Sequence, residues 1–505
     1  ATQTWTAVSE LGHAKGKTKS KKIVKLTALA GAVIGSLAVS QTATAAADLT
    51  TNDAVNIAAN NVPNPTAGRE AIAVGQNANA SHQHSIAIGR NATANWTNTI
   101  SIGKDTVANK DHAVAIGSNA TATGIQSVTL GSYAKTEANS SIALGQNATV
   151  SGTGSTAAVA VGFLANASAA NTVAAGKSAS ASVDNAVALG VSSQASARNA
   201  AALGAYSNAS GERAAAVGAV AKASGTASFA GGTSANASGA NSIAIGGSME
   251  EKGESKAAQA IGKNSIAHGI GTVASQTADI AIGANAAANG TDTPAGSSNG
   301  QNAGTAISIG ANSVATGIAT TALGEAAKAT QNGAVAVGSK ANATNKAAAA
   351  LGRDSNASGE SSTALGSGAK ASGQYSFAGS VNANASGLQS IAIGRNAEAS
   401  AENSVAQGSA AKATAKDTVA VGTEANATAL NAIAIGKNAN AGTANSVALG
   451  SDSVTDRVNL YPSHTIAGNT YNFAGAKPGQ VVGVVSVGAP GKERQITNVA
   501  AGRIS

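Results

Sequence analysis

Glycine keeps a fourteen-residue clock in this chain, and that period restricts the possible folds more than any other feature. Gly falls at 75, 89, 103, 117, 131 and 145, then after a three-residue slip at 162, 176, 190, 204, 218, 232 and 246. Gly262 and Gly283 follow at irregular spacing. The clock then runs from Gly310 to Gly366 and from Gly394 to Gly450, with Ser380 at the missing beat. This makes 26 copies between residues 71 and 450. A short unit repeated this often cannot bury a core alone; stacking on its neighbours is what gives such a unit an interior.

Each copy carries the same chemistry. Aliphatic residues stand three and one before the Gly: Ile86 and Ile88, Ile243 and Ile245, Val335 and Val337, Ile391 and Ile393, Ile433 and Ile435. Between them Ala occurs in 23 of 26 copies, the exceptions being Ser101, Thr129 and Ser308. Ala recurs three and five residues after the Gly, as at Ala92 and Ala94, and a second Gly often follows seven after the first, as at Gly124 and Gly211. Fourteen is also two heptads, but a coiled coil spaces its apolar residues three and four apart with charges beside the seam. Here the spacing is two, the period of a strand.

Each copy therefore reads as two short strands and two tight turns, one coil of a solenoid. Gly89, Gly103, Gly246, Gly394 and Gly436 are turn residues, where positive φ or close backbone approach is needed. Side chains alternate across a strand, so Ala points to one face and Ile or Val to the other. The face that admits only a methyl group is the inside of a narrow coil. The aliphatic face then needs a separate partner, because a lone rod with an exposed apolar stripe would aggregate. Identical chains in closed cyclic symmetry supply that partner.

Composition agrees with a thin rod. Aromatic residues are 2% and charged residues 11%, with 60 Gly and no Cys. Large side chains for a wide core are missing, and so is the charge of a solvated disordered chain. The net charge of +8 does not indicate nucleic acid: six Lys against one Glu lie within residues 1–47, and the rest is scattered. Phosphate tracking needs a clustered basic face. The Lys15–Lys25 run, the apolar stretch from Leu26 to Val39 and small-residue sites at Ala43-Thr44-Ala45 and Ala45-Ala46-Ala47 form a secretory signal peptide.

At this point the residues resemble a family. The string Asn241-Ser242-Ile243-Ala244-Ile245-Gly246, continued elsewhere as Gly-x-Asn-Ala-x-Ala, resembles the head repeat of YadA-like trimeric autotransporter adhesins. Val484 to Gly502 resembles the family's neck, and the segment before the apolar stretch resembles the extended signal region of large autotransporters. The resemblance implies an all-β, left-handed parallel β-roll of about 26 fourteen-residue turns, wound as a homotrimer with the aliphatics at its centre. The organisation expected is an extended signal peptide over 1–47, a lead-in over 48–70, the head over 71–455 and a neck with an insertion over 456–505. No stalk or membrane barrel follows the neck within this chain, so membrane attachment would need a part beyond it. The implied role is a Gram-negative cell-surface adhesin that binds extracellular matrix, cells or other surfaces, and sister cells, through many weak sites.

No enzyme, cofactor or metal site is expected. His82 and His84 alternate without a nearby acidic partner in the sequence, and calcium-binding nonapeptide repeats are absent. A carbohydrate-active β-solenoid would need clustered carboxylates, and an ice-binding solenoid a Thr ladder confined to one position; neither pattern is present. Matches to Asn-x-Ser/Thr at Asn91, Asn119, Asn147, Asn166, Asn208, Asn236, Asn342, Asn356, Asn384 and Asn426 read as turn chemistry two after the Gly. Candidate ligand contacts are the charged insertion with Glu250, Glu251, Lys252 and Glu254, the polar insertion over 290–302, and the aromatics Trp96, Tyr133 and Tyr206. A longer duplication relates Leu203–Gly246 to Leu351–Arg395. In it Phe229 with Gly231, and Phe377 with Gly379, replace the two aliphatics, a large side chain beside none.

Overall fold

The computed structural model describes residues 55–57, 65–152, 156–247, 256–290, 305–472 and 481–500. The segment over 1–47, read from the sequence as a signal peptide, lies outside the described residues. The described chain is all β, and nearly every pairing is parallel between one coil and the next. Each coil has a long strand, such as Ile86–Ile88, and a short one, such as Thr93–Ala94. Long strands stack on long strands, so Ile72, Ile86 and Ile100 fall in one column. Short strands stack likewise, with Thr93 on Val107 and Ala94 on Ala108. Two parallel sheets thus run the length of the rod, back to back.

The interior is as narrow as the sequence demands. Four positions per coil point inward, illustrated by Ser85, Ala87, Ala92 and Ala94, all fully buried. Val150 is the one large aliphatic side chain among the fully buried residues described. Many of the hydroxyls that replace Ala turn back onto the chain: Ser85 Oγ donates to the His82 carbonyl at 2.6 Å, and Thr106 Oγ1 to the Gly103 carbonyl at 2.8 Å. Those of Ser101, Ser228, Ser242, Ser376 and Ser390 are buried without a hydrogen-bond partner. Two of the three exceptions to the central Ala come with a matching change across the coil. Thr129 Oγ1 donates to Thr136 Oγ1 at 2.7 Å, and the hydroxyls of Ser308 and Ser313 lie 2.8 Å apart. A buried polar group costs stability unless it is paired, and these pairs answer that requirement.

Both turns of each coil contain a residue with φ near +57°, spaced seven apart: Asn77, His84, Asn91, Asn98, Asp105, His112 and onward. Asn and Asp tolerate this conformation best, which is why Asn dominates. Of the ten Asn-x-Ser/Thr matches only Asn91, Asn119 and Asn147 occupy that turn position. The other seven, Asn166 to Asn426, begin short strands instead. They are rungs of a sheet, because they lie four residues after the clock position, past the turn.

The clock itself needs one correction. The long strand in that region is Ile266–His268, so Gly269 carries the beat and Gly262 lies in the opposite turn, after Gln259–Ala260. The tripeptide Ala260-Ile261-Gly262 imitates a strand end, and only the stacking of Ile266 on Ile243 reveals the true register. At the N-terminal end Val55–Ile57 already pairs in parallel with Ile72–Val74, inside the segment read as a lead-in. At the other end Val485–Ser486 adds one rung to Val447–Ala448. Arg494 closes the last turn, donating from Nη1 to the Val487 carbonyl at 2.7 Å and from Nη2 to the Ser451 carbonyl at 2.5 Å. Between them an exposed antiparallel hairpin pairs Ser463–Ile466 with Asn469–Asn472.

The beat is Gly for two reasons. Gly103 has φ +136°, and a Cβ there would lie 2.6 Å from the Gly117 carbonyl oxygen of the next coil. Ser380 tolerates the same backbone, φ +130°, with a side chain attached. Ser380→Gly is therefore expected to stabilise the roll by about 1 kcal/mol, and Gly103→Ala to destabilise it by roughly 1–3 kcal/mol. Amide exchange at Gly103 and Ser380 and their stacked neighbours would show both; an unchanged Gly103→Ala protein would refute the packing account.

Candidate interaction surfaces

The roll presents two faces and two edges. On the long-strand face the aliphatics form two columns, broken at some coils by smaller or polar residues such as Ala349 and Thr363. Ile86 stacks on Ile100 and Ile88 on Ile102. Val335 and Val337 stack on Ala349 and Leu351, and Ile433 and Ile435 on Val447 and Leu449. Ile391 and Ile393 stack on Val405 and Gln407. None of the ten aliphatics singled out from the sequence is fully covered within one chain: Ile243 and Ile245 are each 37% exposed and Ile393 40%. The single chain thus leaves a stripe of half-covered apolar side chains along its whole described length.

The opposite face is polar. Its outward residues are the first of each short strand, such as Asn342, Asn356, Lys370 and Asn384 in one column. Lys222, Lys328, Lys370 and Lys412 are exposed there. The two faces therefore differ in kind: one needs covering, the other is suited to water.

Along the edges, the turn residues link coil to coil through their side chains. Asn77 Nδ2 donates to Asn91 Oδ1 at 3.1 Å, and Asn91 Nδ2 to the Asp105 carboxylate at 2.7 Å. The Asn91 hydrogen bond, helped by Lys104 and Arg90, holds the Asp105 carboxyl below its usual range. His84 does have an acidic partner, contrary to the sequence reading. Its Nε2 meets the Glu70 carboxylate, one coil away and fourteen residues earlier. Hydrogen bonds from Gln83 and then His84 hold the Glu70 carboxyl below its usual range. A depressed carboxyl contributes stability that is present above the ordinary carboxylate value of about 4 and is lost as pH falls through the lower folded value. Acidification below that range is thus expected to loosen the Glu70 and Asp105 turns first, read as faster local amide exchange.

Trp96 forms a rung between coils and remains 39% exposed. Its ring stacks on His82, with centroids 6.1 Å apart and planes 9° from parallel, and Lys110 Nζ lies 5.0 Å from its centroid. Side chains of two neighbouring coils thus contact its ring. Tyr133 and Tyr206 are more available, 59% and 62% exposed on the turn edge that follows the clock position.

The model of the YadA head domain repeat matches residues 67–92, 94–157, 181–207, 209–248, 260–286, 302–341, 343–378, 381–397, 399–425 and 427–453, in overlapping copies. That is more than half of the chain. The chain belongs to the YadA head repeat family. Among solved structures, the C-terminal YadA-like domain of a Burkholderia pseudomallei protein is 47% identical over 18% of this chain and 36% of that one, with a TM-score of 0.13. This chain thus spans just over a third of that chain's length. The collagen-binding domain of the Yersinia adhesin YadA is 24% identical over 42% of this chain and 87% of that one, with a TM-score of 0.21. No curated protein matches.

In this YadA head the two longest insertions interrupt opposite turns. Glu250, Glu251, Lys252 and Glu254 lie outside the described residues, but the flanking Gly247 and Lys256 fall in the turn after the clock position. The polar insertion falls in the other turn, after the short strand Ala287–Asn289 and before Ala306–Ile309. Its base carries a feature the sequence did not suggest. Asp279 takes an inward position that other coils give to Ser, Thr or Ala, and it is fully buried. Its carboxylate accepts from the backbone N–H of Gln276 at 2.9 Å, of Gly290 at 3.0 Å and of Ala306 at 2.9 Å. One side chain thus ties together both ends of the insertion. Asp279→Ala would leave three N–H groups without their acceptor, a loss on the order of 3 kcal/mol. Faster exchange of the Gly290 and Ala306 amides, with the distant coils unchanged, is the expected result; Asp279→Asn, which keeps the shape and one acceptor oxygen, should fall between.

Proposed function

We propose that this YadA head works as a homotrimer at the bacterial surface and adheres through repeated outward-facing contacts. The observation that carries the reading is the pair of half-covered aliphatic columns along the whole described roll, opposite a polar face. Covering the columns leaves the polar faces and turn edges outermost, each repeated in triplicate. Full burial of one Ile or Val is worth roughly 1.5–3 kcal/mol, so a stripe of such residues supplies a strong drive to associate. A stiff rod that presents similar sites at regular intervals turns weak contacts into firm attachment, because binding at one site raises the effective concentration at the next.

The proposed partners are matrix proteins such as collagen, fibronectin or laminin, host-cell surfaces, and sister cells in autoaggregation. The collagen-binding relative supports a matrix target. Residues 1–47 fit export by a signal peptide, and attachment to the outer membrane would come through a C-terminal anchor beyond this chain. The ligand contacts proposed first are the two insertions, with Glu250, Glu251, Lys252 and Glu254 on one, because each interrupts the repeat between coils of a rigid scaffold. The role proposed is adhesive and non-enzymatic.

Two measurements test this. The purified head should have the mass of three chains in solution; a stable, ordered monomer would overturn the assembly. It should also bind at least one member of a panel of immobilised matrix proteins. Deletion of 247–256 or 290–302 should abolish that binding, whereas undiminished binding by both deletions would move the contact to the polar face or to Tyr133 and Tyr206.

A further inference from the structure

An aliphatic stripe that repeats every coil has a weakness as an interface. Slide one chain by a single coil, about 4.8 Å, and in most coils Ile, Val or Leu still meets Ile, Val or Leu. Something must fix the axial register of chains that associate through it. The stripe is broken at several coils by Ala or Thr, Thr321 and Thr363 among them, and at two places by a larger, matching exchange. In the first, Phe229 and Gly231 occupy the two columns, and the ring lies over the glycine: a Cβ on Gly231 would be 2.8 Å from the ring's Cε1. The next coil presents Ile243 and Ile245, and the one after it Ile266 and His268. In the second, Phe377 covers Gly379 in the same way, with a Cβ on Gly379 2.6 Å from the ring. Ile391 and Ile393 follow, then Val405 and Gln407. Both modules thus place an aromatic over a glycine and, two coils later, a hydrogen-bonding side chain in the apolar column. His268 and Gln407 are both exposed on that face.

We propose that these two modules are register keys, and that the surface they mark is occupied by other copies of this chain aligned at the same height. The inference rests on the trimer reading above. In register, three Phe rings share a layer that three glycines leave open, and three His268 or three Gln407 side chains meet one another. After a slip of one coil, each ring presses on Ile243 or Ile391 of a neighbour, which overpacks the layer. Each polar side chain is then buried against Ile, Val or Leu without a partner, which costs more than its contact was worth. A polar residue in an apolar seam fixes register in coiled coils by the same physics. The modules are nine long strands apart. A slip of nine coils would match one key to the other but strip the covering from nine coils at each end. Only another copy of this chain presents the aromatic, the glycine and the polar group at matching heights.

The chain has no cysteine, so register can be read by cross-linking in the full chain. Val335 and Ala349 are stacked neighbours one coil apart. Chains carrying Val335→Cys are co-produced with chains carrying Ala349→Cys, and the disulfides are counted after oxidation. With both keys intact, like should pair with like. With both keys erased (Phe229→Ile, Gly231→Ile, His268→Ile, Phe377→Ile, Gly379→Ile and Gln407→Ile), the trimer mass should persist while 335-to-349 links rise at least about fivefold, as expected for a lost preference near 1 kcal/mol. An unchanged ratio in an intact trimer overturns the keys and leaves the trimer standing. A monomeric unmodified chain overturns the trimer, and the keys with it. A second arm keeps the composition, in case the erased chain fails to fold. Moving only the second aromatic key by one coil (Phe377→Ile, Gly379→Ile, Ile391→Phe, Ile393→Gly) leaves no offset at which it matches the unmodified chain. When both are co-produced under different tags, mixed trimers should fall at least about fivefold below random assortment. Free mixing refutes the proposal.

Discussion

The backbone ladder between coils governs everything else in this molecule. Each coil hydrogen-bonds to the next through both strands and both turns, as with Ile86 to Thr99, Gly89 to Val74 and Asn91 to Gln76. Such a ladder fixes the coil-to-coil distance at a strand spacing, and with fourteen residues per coil it leaves an interior one methyl wide. The Ala columns, the Ser and Thr hydroxyls turned back onto turn carbonyls, and the Gly at each beat are consequences of that width. Compensation appears at several places where the rule is broken: Thr129 with Thr136, Ser308 with Ser313, Phe229 with Gly231.

A coil this narrow cannot hold its own large side chains. They go outside, and the fold thereby moves the hydrophobic effect from the interior of one chain to the surface between chains. This reversal links architecture to role. The apolar stripe calls for association, association leaves the polar faces and turn edges outermost, and those repeated surfaces are what an adhesin can use. The two insertions break the repeat without breaking the ladder. Around the polar insertion Asp279 bridges the residues on either side, so the ladder continues past it.

Much of this was legible from the order of residues alone. The period of two between Ile86 and Ile88, the small residue between them and the Gly after them are enough to give strands, coil width and facing. They also identified Phe229 and Phe377 as volume exchanges with the glycines two residues on. Contacts one coil apart are separated by about fourteen residues and leave no local mark. His84 looked unpartnered because Glu70 is a coil away. Gly262 looked like a beat because its own tripeptide resembles one.

The sequence by itself determined the solenoid, its inward and outward faces and its family, because a strict period is a local property that every copy repeats. Only the tertiary structure decided the register past each insertion, the buried bridge at Asp279 and the alignment of His268 and Gln407 two coils beyond their aromatics. Those depend on which coil rests on which, and that is set by stacking geometry across segments whose length the period does not control.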